Sequence, residues 1–264
     1  MSTVALIIFL FFIPYAWFVW SSLSVKSGKI GKPHWKIVLA AFAALVLGSF
    51  VFNYYISNAY QLSFFQNGFE STVALIVTAA FLLVIVIVNV IVSKIFKGAP
   101  KSFHNPKVVW MITAVLCTTI LFFTMWVYPL AEKTSYVQKV EHALTAAEQQ
   151  QTDEEITVVF MSSEKNCFRA TSSNCNNVTY KNAFFLKNNL DIQKEVQVRI
   201  RALDAKQNEL KEVESDVMTL GPGELKLVET EETSDQASIW SRSSFETESR
   251  TQSYESLYRF RDAK

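Results

Sequence analysis

The sequence predicts an α-helical membrane domain of four spans, then a short amphipathic helix, then an all-β sandwich. Three observations predict it. Four long apolar runs fill residues 1–127 and carry no Asp, Glu, Lys, Arg or His. Lysines collect in alternate connections between those runs. Past residue 152 the apolar period changes from that of a helix to that of a strand.

The runs are residues 4–20, 37–56, 72–92 and 108–127. Each is long enough to cross a hydrocarbon core of roughly 30 Å as a helix, the first at the short limit. The first run lacks a basic leader, because Lys26 is the first charge, and Ala16 is followed by Trp17, Phe18, Val19 and Trp20. That is a poor cleavage context, so a retained helix is expected rather than a signal peptide. Pro14 lies inside it, which membrane helices tolerate. Trp17 and Trp20 fall near one end, where an aromatic belt is expected.

Eight lysines and one glutamate are the only charged side chains in residues 1–127. Lys26, Lys29, Lys32 and Lys36 separate runs one and two; Lys94, Lys97, Lys101 and Lys107 separate runs three and four. The connection 57–71 has no Lys or Arg and only Glu70. The positive-inside rule puts both lysine loops in the cytoplasm. The N-terminus, the middle connection and everything after Val127 then face outward. The lysines also set cations against an anionic leaflet, worth about 1 kcal/mol each near the surface, so the lipid bilayer is itself a partner.

Residues 128–264 have a different chemistry, with 17 basic against 23 acidic groups. Mixed sign and moderate apolarity describe a folded domain with its own core. No basic patch dominates it, which argues against nucleic acid as a partner.

Tyr128 and Pro129 mark an interfacial exit from the fourth span. Over residues 128–152, Leu130, Val137, Val140, Leu144 and Ala147 recur at helical spacing, with Glu132, Lys133, Lys139, Glu141 and Gln149 assigned to the other face. This is an amphipathic stalk, whose stripe is expected to pack on the outer domain or on a membrane loop.

Strands follow over residues 153–264. Segment 156–161 is a short apolar strand, and 178–187 continues with Tyr180, Phe184 and Phe185. Segment 195–204 alternates, with Val196, Val198, Ile200 and Ala202 on one face and Gln197, Arg199 and Arg201 on the other, as in a half-buried antiparallel strand. Residues 204–209 are turn-like, and Leu220, Gly221, Pro222, Gly223 and Glu224 form a strong turn signal. Segments 225–230, 237–240, 245–248 and 254–260 complete roughly seven strands, which suggests an immunoglobulin-like sandwich.

The strand 196–204 and the later Leu220-Gly221-Pro222-Gly223-Glu224 turn resemble bacterial extracytoplasmic sandwich domains of the FxLYD kind. Those domains place a strand ending in Asp before a turn, then an L-x-P-G-E turn. The glycine usual in the first turn is missing, and Asn208 is the expected substitute because Asn tolerates left-handed geometry. The Phe-x-Leu-Tyr-Asp signature is absent; Ser256, Leu257, Tyr258 and Arg259 echo it in part. The resemblance implies an adhesion or assembly module in a bacterial envelope, and no chemistry.

Cys167 and Cys175 lie in the outward domain, where an exported compartment permits a disulfide between them; two free thiols are the alternative. Two cysteines with no histidine nearby do not make a zinc site. Cys117, in the fourth run, reads as a small buried apolar residue.

The inventory offers no catalytic constellation, cofactor or metal site. His34, His104 and His142 lie outside the spans, so a buried haem has no axial ligand. No H-E-x-x-H, no G-x-S-x-G and no in-span carboxylate occurs. In-span threonines can bond their own helix carbonyls. Asn89 is costly in lipid unless paired, so it marks an interhelical polar contact. The acidic clusters at 153–155 and 229–232 read as solvated faces. Trp240, Arg242, Phe245, Tyr254, Tyr258 and Arg259 have interface composition and form the candidate partner surface, with sandwich edge strands as the competing reading. Asn177, Val178 and Thr179 form a sequon.

The expected function is therefore non-enzymatic: an accessory or assembly subunit of a membrane or envelope complex that binds another membrane or envelope protein. The alternative is a small transporter or channel-like homo-oligomer, or a lipid-handling membrane protein. A ligand sensor is disfavoured by the shortness of both lysine loops.

Overall fold

In the computed structural model the described residues are 3–27, 31–32, 34–60, 62–95, 106–149, 154–166 and 178–263. The chain divides into two compact units. One comprises residues 1–135 with 236–240, the other residues 136–235 with 241–264.

The first unit is helical. Its elements are α1 (Thr3–Lys26), α2 (Trp35–Ala59), α3 (Gly68–Ile95) and α4 (Pro106–Phe122). Four helices are long and apolar enough to cross a membrane, the last running from Val109 to Gln149. Each extends past its apolar run, because polar residues at either end still favour helix where a span meets water. Helix α1 runs through Pro14. Many large apolar side chains on these helices are exposed instead of packed in a core. Aromatic contacts join the helices: Phe122 packs against Phe11 and Phe42 with ring centroids 5.7 and 5.4 Å apart. Trp126 stacks on Phe50 at 6.0 Å and gives its Nε1–H to Ser49 at 2.9 Å.

Beyond α4 the helix does not stop at Tyr128 and Pro129. A π-helical turn (Phe123–Val127) leads directly into α5 (Tyr128–Gln149). The Tyr128 N–H bonds to the Phe123 carbonyl, five residues back. Proline has no N–H to give and its ring crowds the carbonyl four residues earlier. The wider π turn just before Pro129 accommodates both, so the chain stays helical through Pro129.

The second unit holds the rest of α5 and eight strands: β1 (Ile156–Lys165), β2 (Tyr180–Asn188), β3 (Lys194–Leu203), β4 (Glu209–Glu214), β5 (Met218–Leu220), β6 (Leu225–Leu227), β7 (Phe245–Thr247) and β8 (Ser253–Asp262). They form two four-stranded antiparallel sheets, each built around one long strand. In the first, β2 pairs with β1 along its whole length on one side and with the short β6 and β7 on the other. In the second, β3 pairs with β8 over all ten residues on one side and with β4 and β5 on the other.

One core contains Ile156, Val158, Phe184 and Leu186 from the first sheet with Val196, Val198, Ile200, Ala202, Met218 and Leu220 from the second. A second core lies on the opposite face of the first sheet, where Val159, Ala183, Phe185 and Leu227 meet Ala143 and Ala147 of α5. The first sheet is thus covered on both faces. This explains why β1 and β2 read as continuous apolar runs while β3 alternates. Of the expected α5 stripe, Val140 and Ala147 pack in this core.

Three expectations need correction. Segment 237–240 is not a strand; a 3-10 turn (Ile239–Ser241) stands there, and Gln236–Trp240 belongs to the helical unit. In the Asp204 turn the left-handed residue is Gln207, at φ 64°, not Asn208. Asp204 carries the turn instead, its Oδ1 accepting the N–H groups of Lys206 and Asn208 at 2.7 and 2.9 Å. Strands β4 and β5 were not anticipated.

Candidate functional site

The most unusual polar group of the helical unit is Lys133, near the start of α5. Its side chain is 1% exposed, although it was assigned to a polar face. The Nζ donates to Asn53 Oδ1 at 2.7 Å, to the Ser63 carbonyl at 2.8 Å, to the Phe64 carbonyl at 3.2 Å and to Ser57 Oγ at 3.3 Å. The Trp240 ring lies 4.7 Å from the ammonium and the Phe64 ring 5.9 Å. No carboxylate pairs with it among the described residues. Neutral dipoles and ring faces alone therefore hold the charge, each supplying the negative end of a dipole or quadrupole. Lys133 lies past the end of the apolar run at Val127, and burial pushes its ammonium down to about 8.

Neighbouring groups of the same unit close the arrangement. Asn53 Nδ2 donates to the Phe64 carbonyl at 3.1 Å, so Asn53 bridges the lysine and the loop after α2. Ser238 gives its hydroxyl proton to Glu70 Oε2 and its N–H to Glu70 Oε1 at 3.2 Å. The same hydroxyl oxygen accepts the Asn67 N–H at 2.9 Å. Residues 236–240 are thus tied to the α2–α3 connection. Chemically this is a clasp. Four acceptors exceed the three protons of one ammonium, so Lys133 has none left for a substrate.

The sequence-predicted residues fall in several places. Trp240 and Phe245 are 6% and 1% exposed and so do not form a surface; Trp240 faces Lys133, and Phe245 stacks on Phe184 at 5.4 Å. Aromatic side chains of this size are drawn into a core before a rim. Arg242 pairs with Glu229 at 3.1 Å. Tyr254 gives its O–H to the Val158 carbonyl at 2.6 Å, and Tyr258 packs partly buried against the first core. Arg259 is exposed and pairs with Glu214 at 3.3 Å. The six residues therefore do not make one patch; Tyr254, Tyr258 and Arg259 share β8. The acidic 229–232 cluster is not merely solvated, since Glu232 pairs with Lys211 as Glu229 does with Arg242.

Asn89 is buried, but its Oδ1 has no hydrogen-bond partner among the described residues. The hydroxyls of Thr78, Thr113, Thr118, Thr119 and Thr124 bond to carbonyls four residues back in their own helices. Cys167, Cys175 and Asn177 lie outside the described residues, as do His104, Lys97 and Lys101. The Asn166 N–H bonds to the Thr179 carbonyl at 2.8 Å. His34 and His142 are exposed. Among the described residues no cluster of His, Cys, Asp and Glu could hold a metal ion.

No protein-family model matches the chain, and no curated protein matches it. Among solved structures it is similar to the Pseudomonas fluorescens alkylpurine DNA glycosylase AlkC bound to DNA containing an abasic site analog. That likeness has 12% identity and a TM-score of 0.18, over 48% of this chain and 34% of the glycosylase. At that score it carries no argument about fold or function.

Proposed function

We propose that this chain is a non-enzymatic membrane protein that presents its β-rich unit outside a bacterial cytoplasmic membrane. It acts there as an accessory or assembly subunit of a membrane or envelope complex. The observation that carries the reading is the pairing of four charge-free apolar runs, with lysines confined to alternate connections, and a β-rich unit of mixed charge in which several groups pair with one another. On this reading the two sheets are an immunoglobulin-like sandwich of FxLYD kind, α5 is its amphipathic stalk, and Asn89 meets a polar group of another subunit's helix. Cys167 and Cys175 are joined in a disulfide.

Purification from native membranes in mild detergent tests the function. The expected result is one stoichiometric partner of different sequence, identified by mass spectrometry. Recovery of the chain with no other protein would sink the reading and favour a transporter or channel-like homo-oligomer. Orientation and disulfide are tested together on intact cells with a membrane-impermeant maleimide. A cysteine at Asn58 should label, one at Lys32 should not, and Cys167 and Cys175 should label only after reduction. Labelling at Lys32 but not at Asn58 would reverse the topology, and labelling of Cys167 or Cys175 without reduction would remove the disulfide.

A further inference from the structure

We infer that the β-rich unit forms a symmetric dimer with a second copy of this chain, by antiparallel pairing of β8 with β8 across its open edge. Among the described residues β8 pairs with β3 alone. The register from Lys194↔Asp262 to Leu203↔Ser253 runs without a shift, and β8 contains no proline. By contrast, the edge strand of the other sheet, β1, is broken by a bulge between Phe160 and Ser162, one of the devices that blunt an edge. A long, regular edge with no bulge and no proline is a template for another strand.

The backbone identifies which groups are on offer. The Ser215 N–H bonds to the Val198 carbonyl at 2.7 Å, so even-numbered residues of β3 face β4 and odd-numbered ones face β8. The register sets Arg199 opposite Leu257 and Gln197 opposite Arg259. Odd-numbered residues of β8 therefore bond to β3. Ser256, Tyr258 and Phe260 turn their amides and carbonyls to the open edge.

Charge and shape choose the occupant. With Leu257 opposite its own copy, Ser256 lies opposite Tyr258 of the second strand, and both have outward-facing backbone groups. Glu255 then lies opposite Arg259 twice over, once on each side of the two-fold axis. The Leu257–Leu257 and Glu255–Arg259 positions are non-hydrogen-bonded pairs, in which side chains come closest. A slip by one residue would set inward-facing side chains against outward-facing ones. Leu257 is 74% exposed, more than any other large apolar side chain among the described residues, the helices included. The Glu255 and Arg259 side chains are 63% and 75% exposed, so each can reach across while keeping its present partners Arg201 and Glu214. An edge that repels its own copy is how sheets avoid association; this edge attracts it. The resulting interface is isologous and closed.

The test uses the full chain in mild detergent. Leu257→Cys should cross-link to a disulfide dimer on mild oxidation, to more than half of the protein, whereas the wild type should not. Glu255→Cys alone should give under a tenth of that yield, and an equal mixture of Glu255→Cys and Arg259→Cys chains should approach the half of the dimers that random pairing makes mixed, because only the mixed pair is opposed. Glu255→Arg should weaken the dimer at least tenfold, and Glu255→Arg with Arg259→Glu should return it to within about threefold of wild type. A monomer that does not cross-link at position 257 overturns the inference. So does a dimer that persists unchanged in Glu255→Arg, or a different protein captured at position 257. These outcomes are separate from the search for a heterologous subunit, which succeeds or fails whether or not the edge pairs with itself.

Discussion

Phe184→Ala is expected to destabilise the β-rich unit by about 3–5 kcal/mol, the range for emptying a buried aromatic site. Phe184 is fully buried on β2. Its ring is stacked on Phe245 at 5.4 Å, meets Tyr254 edge-on at 5.3 Å and lies 4.9 Å from Phe160. The four rings belong to β1, β2, β7 and β8, so one side chain serves both sheets. Its backbone is also committed: the carbonyl accepts the Val228 N–H at 2.8 Å, and the N–H donates to Ser244 Oγ at 3.1 Å. Tyr254 is the neighbour least able to collapse into the cavity, because its O–H is fixed on the Val158 carbonyl. Hydrogen exchange of the full chain, read by mass spectrometry, measures the effect. Amides of β1, β2 and β3 should lose two to three orders of magnitude of protection while α2 and α3 keep theirs. Unchanged protection in β3 would show that the two sheets do not share one cooperative core.

The four apolar helices were legible because hydrocarbon excludes charge, so each shows as a long run without Asp, Glu, Lys, Arg or His. Strands β1, β2 and β3 were legible for a related reason: each buries a face, and burial writes a period into the sequence. The misses follow from the converse. Strand β4 reads Glu-Leu-Lys-Glu-Val-Glu and buries little; it is a strand because β3 offers it partners, which no local pattern records. Strand β5 is three residues long, too short for a period. Segment 237–240 has strand composition but takes its conformation from Glu70 and Asn67, more than 160 residues earlier in the chain. Trp240 and Phe245 have the composition of an interface, and composition does not distinguish a partner's pocket from the protein's own. Lys133 did leave a signal. It stands three residues after Leu130 and four before Val137, inside the apolar stripe of α5, at the one position where that stripe is interrupted by a charge.

That interruption is the basis of the second large effect. Lys133→Met preserves an unbranched side chain of similar length and removes the ammonium. Two consequences compete. Burying a charge away from water is costly, and methionine relieves that cost. Against it, Asn53 Oδ1 and the Ser63 carbonyl lose their partner in a site already closed to water, at about 1–3 kcal/mol for each orphaned acceptor. The Phe64 carbonyl keeps its bond from Asn53. With two acceptors orphaned and the ring contacts of the ammonium lost as well, the losses outweigh the relieved burial cost, and a net loss of about 2–4 kcal/mol at pH 7 is expected. Thermal unfolding of the full chain in detergent, followed by tryptophan emission, should show a midpoint lower by roughly 5–15 °C. The pH dependence separates this from a simple packing defect. The folded lysine titrates at about 8, below its ordinary 10.5. Between those values the unfolded chain binds more protons than the folded one, so stability rises with pH across that window. The penalty for burying the charge is fully present below pH 8 and relieved as pH rises through the window. Wild type should therefore gain stability from pH 8 to 10 relative to Lys133→Met, and the gap between them should widen. A gap that stays constant over that range would mean that the ammonium is not desolvated, and that Lys133 reaches water when the protein is in solution.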